Sequence, residues 1–351
     1  MKGYCWRQLF PAISLFGCVV AGAALGEDQK TTHELFAKSR EQSDLRAKGS
    51  PGFVLSGTVR IWLKKNELAV GKYEYVWTPE GKWREEITLA DYKRTRIGNE
   101  MQFWQVRTTE DENPAVFELD QLLSRARAPK MEAQDRFRKA EPRKVAEIEI
   151  QCMRRETKSQ RLVSYCFDAK TRDLIEVSSG SDSEVPWKIV WREYANFQEW
   201  SGKRWPRLMR GYNGKELVAE ARFDDLKPLP QLASDFFTPL NEATSWAYCL
   251  GGDVWKLKEG MPPAYPPSAI MQRREGTVVL SGVIGENGNV SHLKVIRRAA
   301  LELNGSATTA VSQWRYERTP DCPASKGVTE TFIDVDYYLL KSRRVPRHYD
   351  M

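Results

Sequence analysis

The sequence predicts an α+β chain: a large antiparallel curved sheet or partial barrel, followed by a small ββαβ domain. Three observations predict it. Short apolar and aromatic runs with period-2 alternation recur through residues 51–241, the pattern of strands buried on one face. A hairpin, one segment of helical period and a final alternating run follow one another within residues 262–341. Between them lies Pro262-Pro263-Ala264-Tyr265-Pro266-Pro267, which extends the chain and breaks both periods.

At 351 residues the chain exceeds one average domain. With 41% hydrophobic and 29% charged residues it has the composition of a globular protein with a solvated surface, which excludes disorder and a polytopic membrane protein. Fifty-four Lys and Arg against 47 Asp and Glu leave +7, with both signs interspersed. The densest basic stretch, residues 125–158, is interrupted by Glu132, Asp135, Glu141, Glu147 and Glu149. It reads as a solvated face, and no nucleic-acid partner is expected.

Residues 1–26 carry Lys2 and Arg7, an apolar run over 9–25 and small residues before Glu27. This is the pattern of an export signal. Leu15-Phe16-Gly17-Cys18 has the form of a lipoprotein processing site, and the apolar run is close to the shortest that spans a bilayer. Cleavage, lipidation and retention as an anchor stay open, and each places the remainder in the periplasm or cell envelope. Past this segment Cys152, Cys166, Cys249 and Cys322 form an even set suited to an oxidising compartment. Pairing Cys152 with Cys166 and Cys249 with Cys322 keeps each bridge within one proposed domain; buried free thiols are the alternative.

Element by element, residues 27–50 read as a helical lead-in with Leu35, Phe36 and Leu45, stopped by Ser50-Pro51-Gly52. Strands then follow: Phe53, Leu55, Val59, Ile61 and Leu63 alternate, Tyr73, Tyr75 and Trp77 share a face, Trp83, Glu85, Ile87 and Leu89 mark a third run, and 101–106 a fourth. The pattern weakens over 113–143, where Asp120-Gln121-Leu122-Leu123 predicts a helical interruption. It resumes at 146–153, 161–167, 174–178, 187–191, 204–209 and 217–223, making about ten strands in a 51–241 domain. Residues 242–261 read as a connector. The final domain opens with a strand at 276–284, a turn at Gly285-Glu286-Asn287-Gly288-Asn289 and a return strand at 290–297. Ala307, Ala310, Val311 and Trp314 fall on one helical face, with Asn304 or Ser306 as cap. Thr331, Ile333, Val335, Tyr337 and Leu339 alternate in a last strand, and 342–351 form a basic tail.

The order Pro263-Ala264-Tyr265-Pro266, a hairpin with an Asn-Gly turn, Trp314-Arg315-Tyr316-Glu317 ending the helix, and a final alternating strand resembles the C-terminal domain of the TonB family over about 262–340. The resemblance implies a domain that receives an extended segment of an outer-membrane transporter or other envelope protein and transmits energy for transmembrane transport from an inner-membrane motor complex, if the chain is anchored. On that basis the partner-binding residues are Tyr265, Pro266, Phe332, Ile333, Asp334, Val335, Asp336 and Tyr337, since strand addition combines main-chain hydrogen bonds with alternate side-chain contacts. Asp334 and Asp336 have a second reading, as charges that keep unwanted strands off the edge. The family's long Pro-rich spacer is replaced here by a folded sheet domain.

Residues 51–241 are more weakly similar to the LolA-like lipoprotein-carrier fold, an incomplete barrel that holds acyl chains. The likeness rests on strand order, Trp-rich strands, Tyr212-Asn213-Gly214-Lys215 and Asp235-Phe236-Phe237-Thr238-Pro239. It implies a lipid cavity lined by Trp62, Trp77, Trp83, Trp104, Trp187 and Trp191, for which ordinary core packing is the alternative.

No enzyme is expected. His33, His292 and His348 are scattered, neither GxxxxGK[ST] nor GxSxG occurs, and adjacent carboxylates such as Glu85-Glu86 face opposite ways on a strand. No catalytic, metal or cofactor residue is assigned. The functional expectation is an envelope coupling protein acting by strand addition; a periplasmic carrier of lipid or lipoprotein and an envelope scaffold are the alternatives.

Overall fold

The structure, a computed structural model, describes residues 27–64, 67–109, 113–124, 126–132, 135–145, 147–155, 161–181, 190–249, 253–320, 322 and 327–339. The segment read as an export signal (residues 1–26), Trp187 and the basic tail (342–351) lie outside the described residues. Helix α1 (Glu27–Ser43) precedes strands β1 (Phe53–Lys64), β2 (Glu67–Trp77), β3 (Trp83–Thr88), β4 (Lys93–Gly98) and β5 (Gln102–Arg107), then helix α2 (Pro114–Ser124). Next come β6 (Phe137–Lys139), β7 (Arg143–Val145), β8 (Ile148–Arg155), β9 (Arg161–Asp168), β10 (Leu174–Ser181), β11 (Val190–Trp200), β12 (Lys203–Asn213) and β13 (Glu216–Pro228). Beyond them lie β14 (Thr244–Ala247), β15 (Trp255–Glu259), α3 (Pro267–Met271), β16 (Gly276–Ile284), β17 (Val290–Arg297), α4 (Leu301–Val311), β18 (Arg315–Arg318) and β19 (Thr329–Tyr337).

The first unit is a 14-stranded sheet in the order β14-β5-β4-β3-β2-β1-β13-β12-β11-β10-β9-β8-β6, with β7 also on β8. Two antiparallel meanders meet where β1 pairs with β13. There the register slips between Ser56 and Gly57, and a Cβ at Gly57 would lie 2.1 Å from the Arg222 carbonyl oxygen. Only glycine admits that approach, and the bulge bends the strand. The inward residues of β1 and β2 are those the alternation selects: Phe53, Leu55, Val59, Ile61, Tyr73 and Trp77 are buried.

Both helices lie against this apolar face. Phe36 of α1 is fully buried among Phe137, Tyr165 and Phe167, at ring separations of 4.8, 5.3 and 5.0 Å. Helix α2 buries Val116, Phe117, Leu119 and Leu122 and packs on β1, β12 and β13. The Cys152–Cys166 bridge joins directly opposed residues of β8 and β9, and Cys249–Cys322 ties the end of the sheet unit to the tail.

Four sequence expectations need correction. β4 was absent from them, because the positions it turns toward α2 carry Arg94 and Arg96 in place of apolar residues. The 242–261 connector contains two strands: β14 extends the sheet beside β5, and β15 pairs with β18. Trp314-Arg315-Tyr316-Glu317 does not end the helix but supplies most of β18, since β15 offers it a partner. Helix α4 begins at Leu301 with Ala300 at the cap and no side-chain cap bond. Asn304 instead accepts a hydrogen bond from the Ala299 N–H, and the buried face is Leu303, Ala307 and Val311.

Candidate functional site

The tail is a three-stranded antiparallel sheet, β17-β16-β19, backed by α4. Its hairpin turns at Gly288, where φ is 77° and a Cβ would sit 1.9 Å from the Tyr316 carbonyl oxygen. β19 is the end strand, pairing with β16 from Ile284↔Thr329 to Gly276↔Tyr337. Its side chains divide between two faces. Ile333, Val335 and Tyr337 are buried against α4, so their side chains belong to the tail core and the edge they carry is a main-chain edge. Tyr265 packs edge-on against Tyr337 at 5.4 Å and donates to the Arg274 carbonyl at 2.5 Å. Burial, helped by Glu275, pushes its hydroxyl up to about 12. Pro266 caps the short helix α3.

The other face carries Phe332, Asp334 and Asp336. Both aspartates are exposed, and Asp336 accepts a hydrogen bond from Thr277 at 2.6 Å. Phe332 was expected to meet a partner, but its ring lies 4.6 Å from Phe117 of α2. This face is where the tail docks on the sheet unit. Arg297 of β17 chelates Glu118 at 2.9, 2.5 and 2.7 Å and sits over the Phe117 ring at 5.5 Å. Glu330 accepts from Arg107 at 2.8 Å and Gln105 at 3.3 Å. The Ala247 N–H donates to the Val328 carbonyl at 2.9 Å. That carbonyl therefore points away from β16, and strand alternation turns the main-chain groups of Glu330, Phe332, Asp334 and Asp336 the same way.

Phe332 also lines a cavity of about 390 Å³ between α2, the segment after α1 and the concave face of the sheet. Its apolar wall includes Phe53, Leu55, Tyr75, Trp83, Phe103 and Trp205. Its polar end is an ionic cluster: Arg94, 1% exposed, bonds Asp120 at 2.8 and 2.7 Å and Glu85 at 3.1 Å, while Arg96 lies 3.3 Å from Asp120. Burial alone would raise the Asp120 carboxyl, yet Arg94 and Arg96 hold it below its ordinary value. Burial pushes Tyr73 well up, aided by Glu85, and Tyr75 up to about 12. A second cleft of about 880 Å³, bordered by Arg107, Trp246, His292 and Glu330, lies between β5, β14 and the tail sheet.

Of the tryptophans proposed for a lipid cavity, Trp83 lines the one observed. Trp77 is buried beside it, stacked on Phe53 at 5.7 Å. Trp62 and Trp104 neighbour the inward Ile61 and Phe103 and so face the other way. Trp191 lies in β11 opposite Ser178 and Tyr212. Trp205 and the buried ions were missed; the only sequence signal for the latter was Asp120 on a predicted helix.

The family described as Gram-negative bacterial TonB protein C-terminal matches residues 261–339, the stretch whose motifs carry that resemblance. No curated protein matches the chain. Among solved structures the chain is similar to a LolA superfamily protein from Nitrosomonas europaea, at 10% identity and TM-score 0.38 over 58% of this chain and 96% of that one. It is also similar to a DUF1329 family protein from Desulfovibrio piger, at 12% and 0.42 over 59% and 96%. A third likeness is to the Pseudomonas aeruginosa MucA/MucB complex, at 10% and 0.25 over 82% and 100%.

Proposed function

We propose that this chain is a cell-envelope docking protein that takes up an extended segment of an outer-membrane transport partner on β19, while the sheet unit holds the tail in a fixed orientation. One observation carries the reading: within the stretch that matches the TonB C-terminal family, β19 is the end strand of its sheet. An added strand gains main-chain hydrogen bonds along such an edge. A photo-crosslinking residue at position 336 should capture a transporter through its extended segment in intact cells. Asp334→Pro removes an outward N–H while sparing the pairing with β16, and should abolish the capture. Crosslinks to no transporter, or crosslinks undiminished by Asp334→Pro, would overturn the reading.

The cavity lined by Phe53, Trp83 and Trp205 supports a second role, holding an apolar group such as an acyl chain. Its volume falls within the range of small-molecule sites, and aromatic rings dominate its wall. Native mass spectrometry of the purified full chain should then show bound lipid, and a consistently empty protein argues for scaffolding alone.

A further inference from the structure

The charges around the cavity between α2 and the sheet do not cancel. Arg94 and Arg96 answer Glu85 and Asp120 in the ionic cluster, and Arg127 answers Asp44 at 2.6 Å. Arg46, on the segment after α1, is the remaining cation of the described lining. Its guanidinium makes one hydrogen bond among the described residues, to the Tyr75 hydroxyl at 3.2 Å, and lies 6.0 Å from the centre of that ring. Asp44 accepts from the Arg46 main-chain N–H at 3.3 Å, not from its side chain. A guanidinium carries five N–H donors, so most of this one's capacity is unspent. Tyr75 adds a further donor. Its oxygen accepts from Arg46, and its own O–H has no acceptor among the described residues. Burial pushes this hydroxyl up to about 12, which keeps the proton in place at neutral pH. A cation and an O–H donor therefore sit side by side next to the aromatic wall of Phe53, Trp83 and Phe103.

We propose that the cavity holds a single-chain amphiphile with a carboxylate head, the head seated on Arg46 and the Tyr75 hydroxyl and the chain lying against Phe53, Trp83 and Phe103. This rests on the second role, the holding of an apolar group. Hydrogen bonds from a guanidinium to a carboxylate are charge-assisted, and the planar fork matches two oxygens at once. One surplus cation suits a singly charged head. A phosphate monoester, with about two charges, would leave part of its charge unanswered beside aromatic rings. A cationic head would meet Arg46 as a like charge, and a hydroxyl head forgoes the charge-assisted bond. The ionic cluster, balanced within itself, bounds the apolar volume without drawing a second charge into it.

The test uses the full chain and three ligands that share one tail, dodecanoate, dodecanol and dodecylammonium, titrated by calorimetry at neutral pH. Dodecanoate is expected to bind about 10-fold tighter than dodecanol, the worth of one charge-assisted bond, and dodecylammonium weakest of the three. Arg46→Met should level dodecanoate with dodecanol. Tyr75→Phe, which retains the ring, should narrow the same gap and reads the effect even if Arg46→Met folds poorly. Equal binding of dodecanoate and dodecanol by the native chain would sink the head-group assignment and leave the apolar cavity standing. So would a preference that survives Arg46→Met intact or Tyr75→Phe undiminished. Binding of none of the three would sink the cavity role itself.

Discussion

Replacing Arg94 with Met should cost more than any exposed ion pair in the chain. The guanidinium is 1% exposed and bonds both Asp120 and Glu85. Its removal leaves Asp120 of α2 and Glu85 of β3 with Arg96 as the one remaining cation paired to both among the described residues. Breaking a buried pair by deleting one partner costs about 3–5 kcal/mol, which for a unit of this size lowers Tm by about 6–20 °C. Urea unfolding followed by tryptophan fluorescence at pH 7 measures the loss. Arg94→Met with Asp120→Leu should recover part of it, because the stranded charge is gone. The pH dependence follows from the lowered Asp120 value. Unfolded chains take up this proton at about 3.9, the folded protein only below that. As pH falls between the two values the unfolded state binds more protons, and stability is lost through the lower, folded value. Arg94→Met should flatten this acid limb. A loss under about 1 kcal/mol, the worth of an exposed pair, or a double variant no more stable than the single one, would refute the reasoning.

Removing the Cys249–Cys322 bridge, whose cysteines are 73 residues apart, should cost about 4 kcal/mol in the chain-entropy model, measured by denaturation of the double Ser variant. Gly288→Ala should cost more than about 2 kcal/mol, since it combines a positive φ with a collision against the Tyr316 carbonyl; circular dichroism melts would show it. Phe332→Ala should loosen the tail from α2 at a cost of about 1–3 kcal/mol, seen as faster hydrogen exchange in 114–124 with β16 unchanged.

What was legible in the sequence was whatever repeats a single rule along the strand. Phe53 to Ile61 and Tyr73 to Trp77 announce their buried face because every second residue is apolar, and the tail announces itself through a turn, a helix face and an alternating strand. β4 was silent because its inward Arg94 is compensated by Asp120, 26 residues away on another element, which no local pattern reveals. The same holds for Phe332. Its position on β19 was readable, but its partner Phe117 lies 215 residues earlier in the numbering, from 117 to 332, so docking of the two units left no trace in either stretch. Trp62 and Trp104 failed for a simpler reason: composition places tryptophan in a strand, and only register says which side it faces.

The pairing of β15 with β18 changes what counts as the autonomous tail. A fragment cut at residue 262 would keep β18 but discard its ladder partner, together with the Trp255 indole that donates to Thr329 at 2.9 Å, just where β19 starts. The newly bared strand would be sticky, and the root of β19 would lose its brace. A piece able to stand alone therefore has to begin ahead of Trp255, and keeping the bridge to Cys322 moves the cut ahead of Cys249.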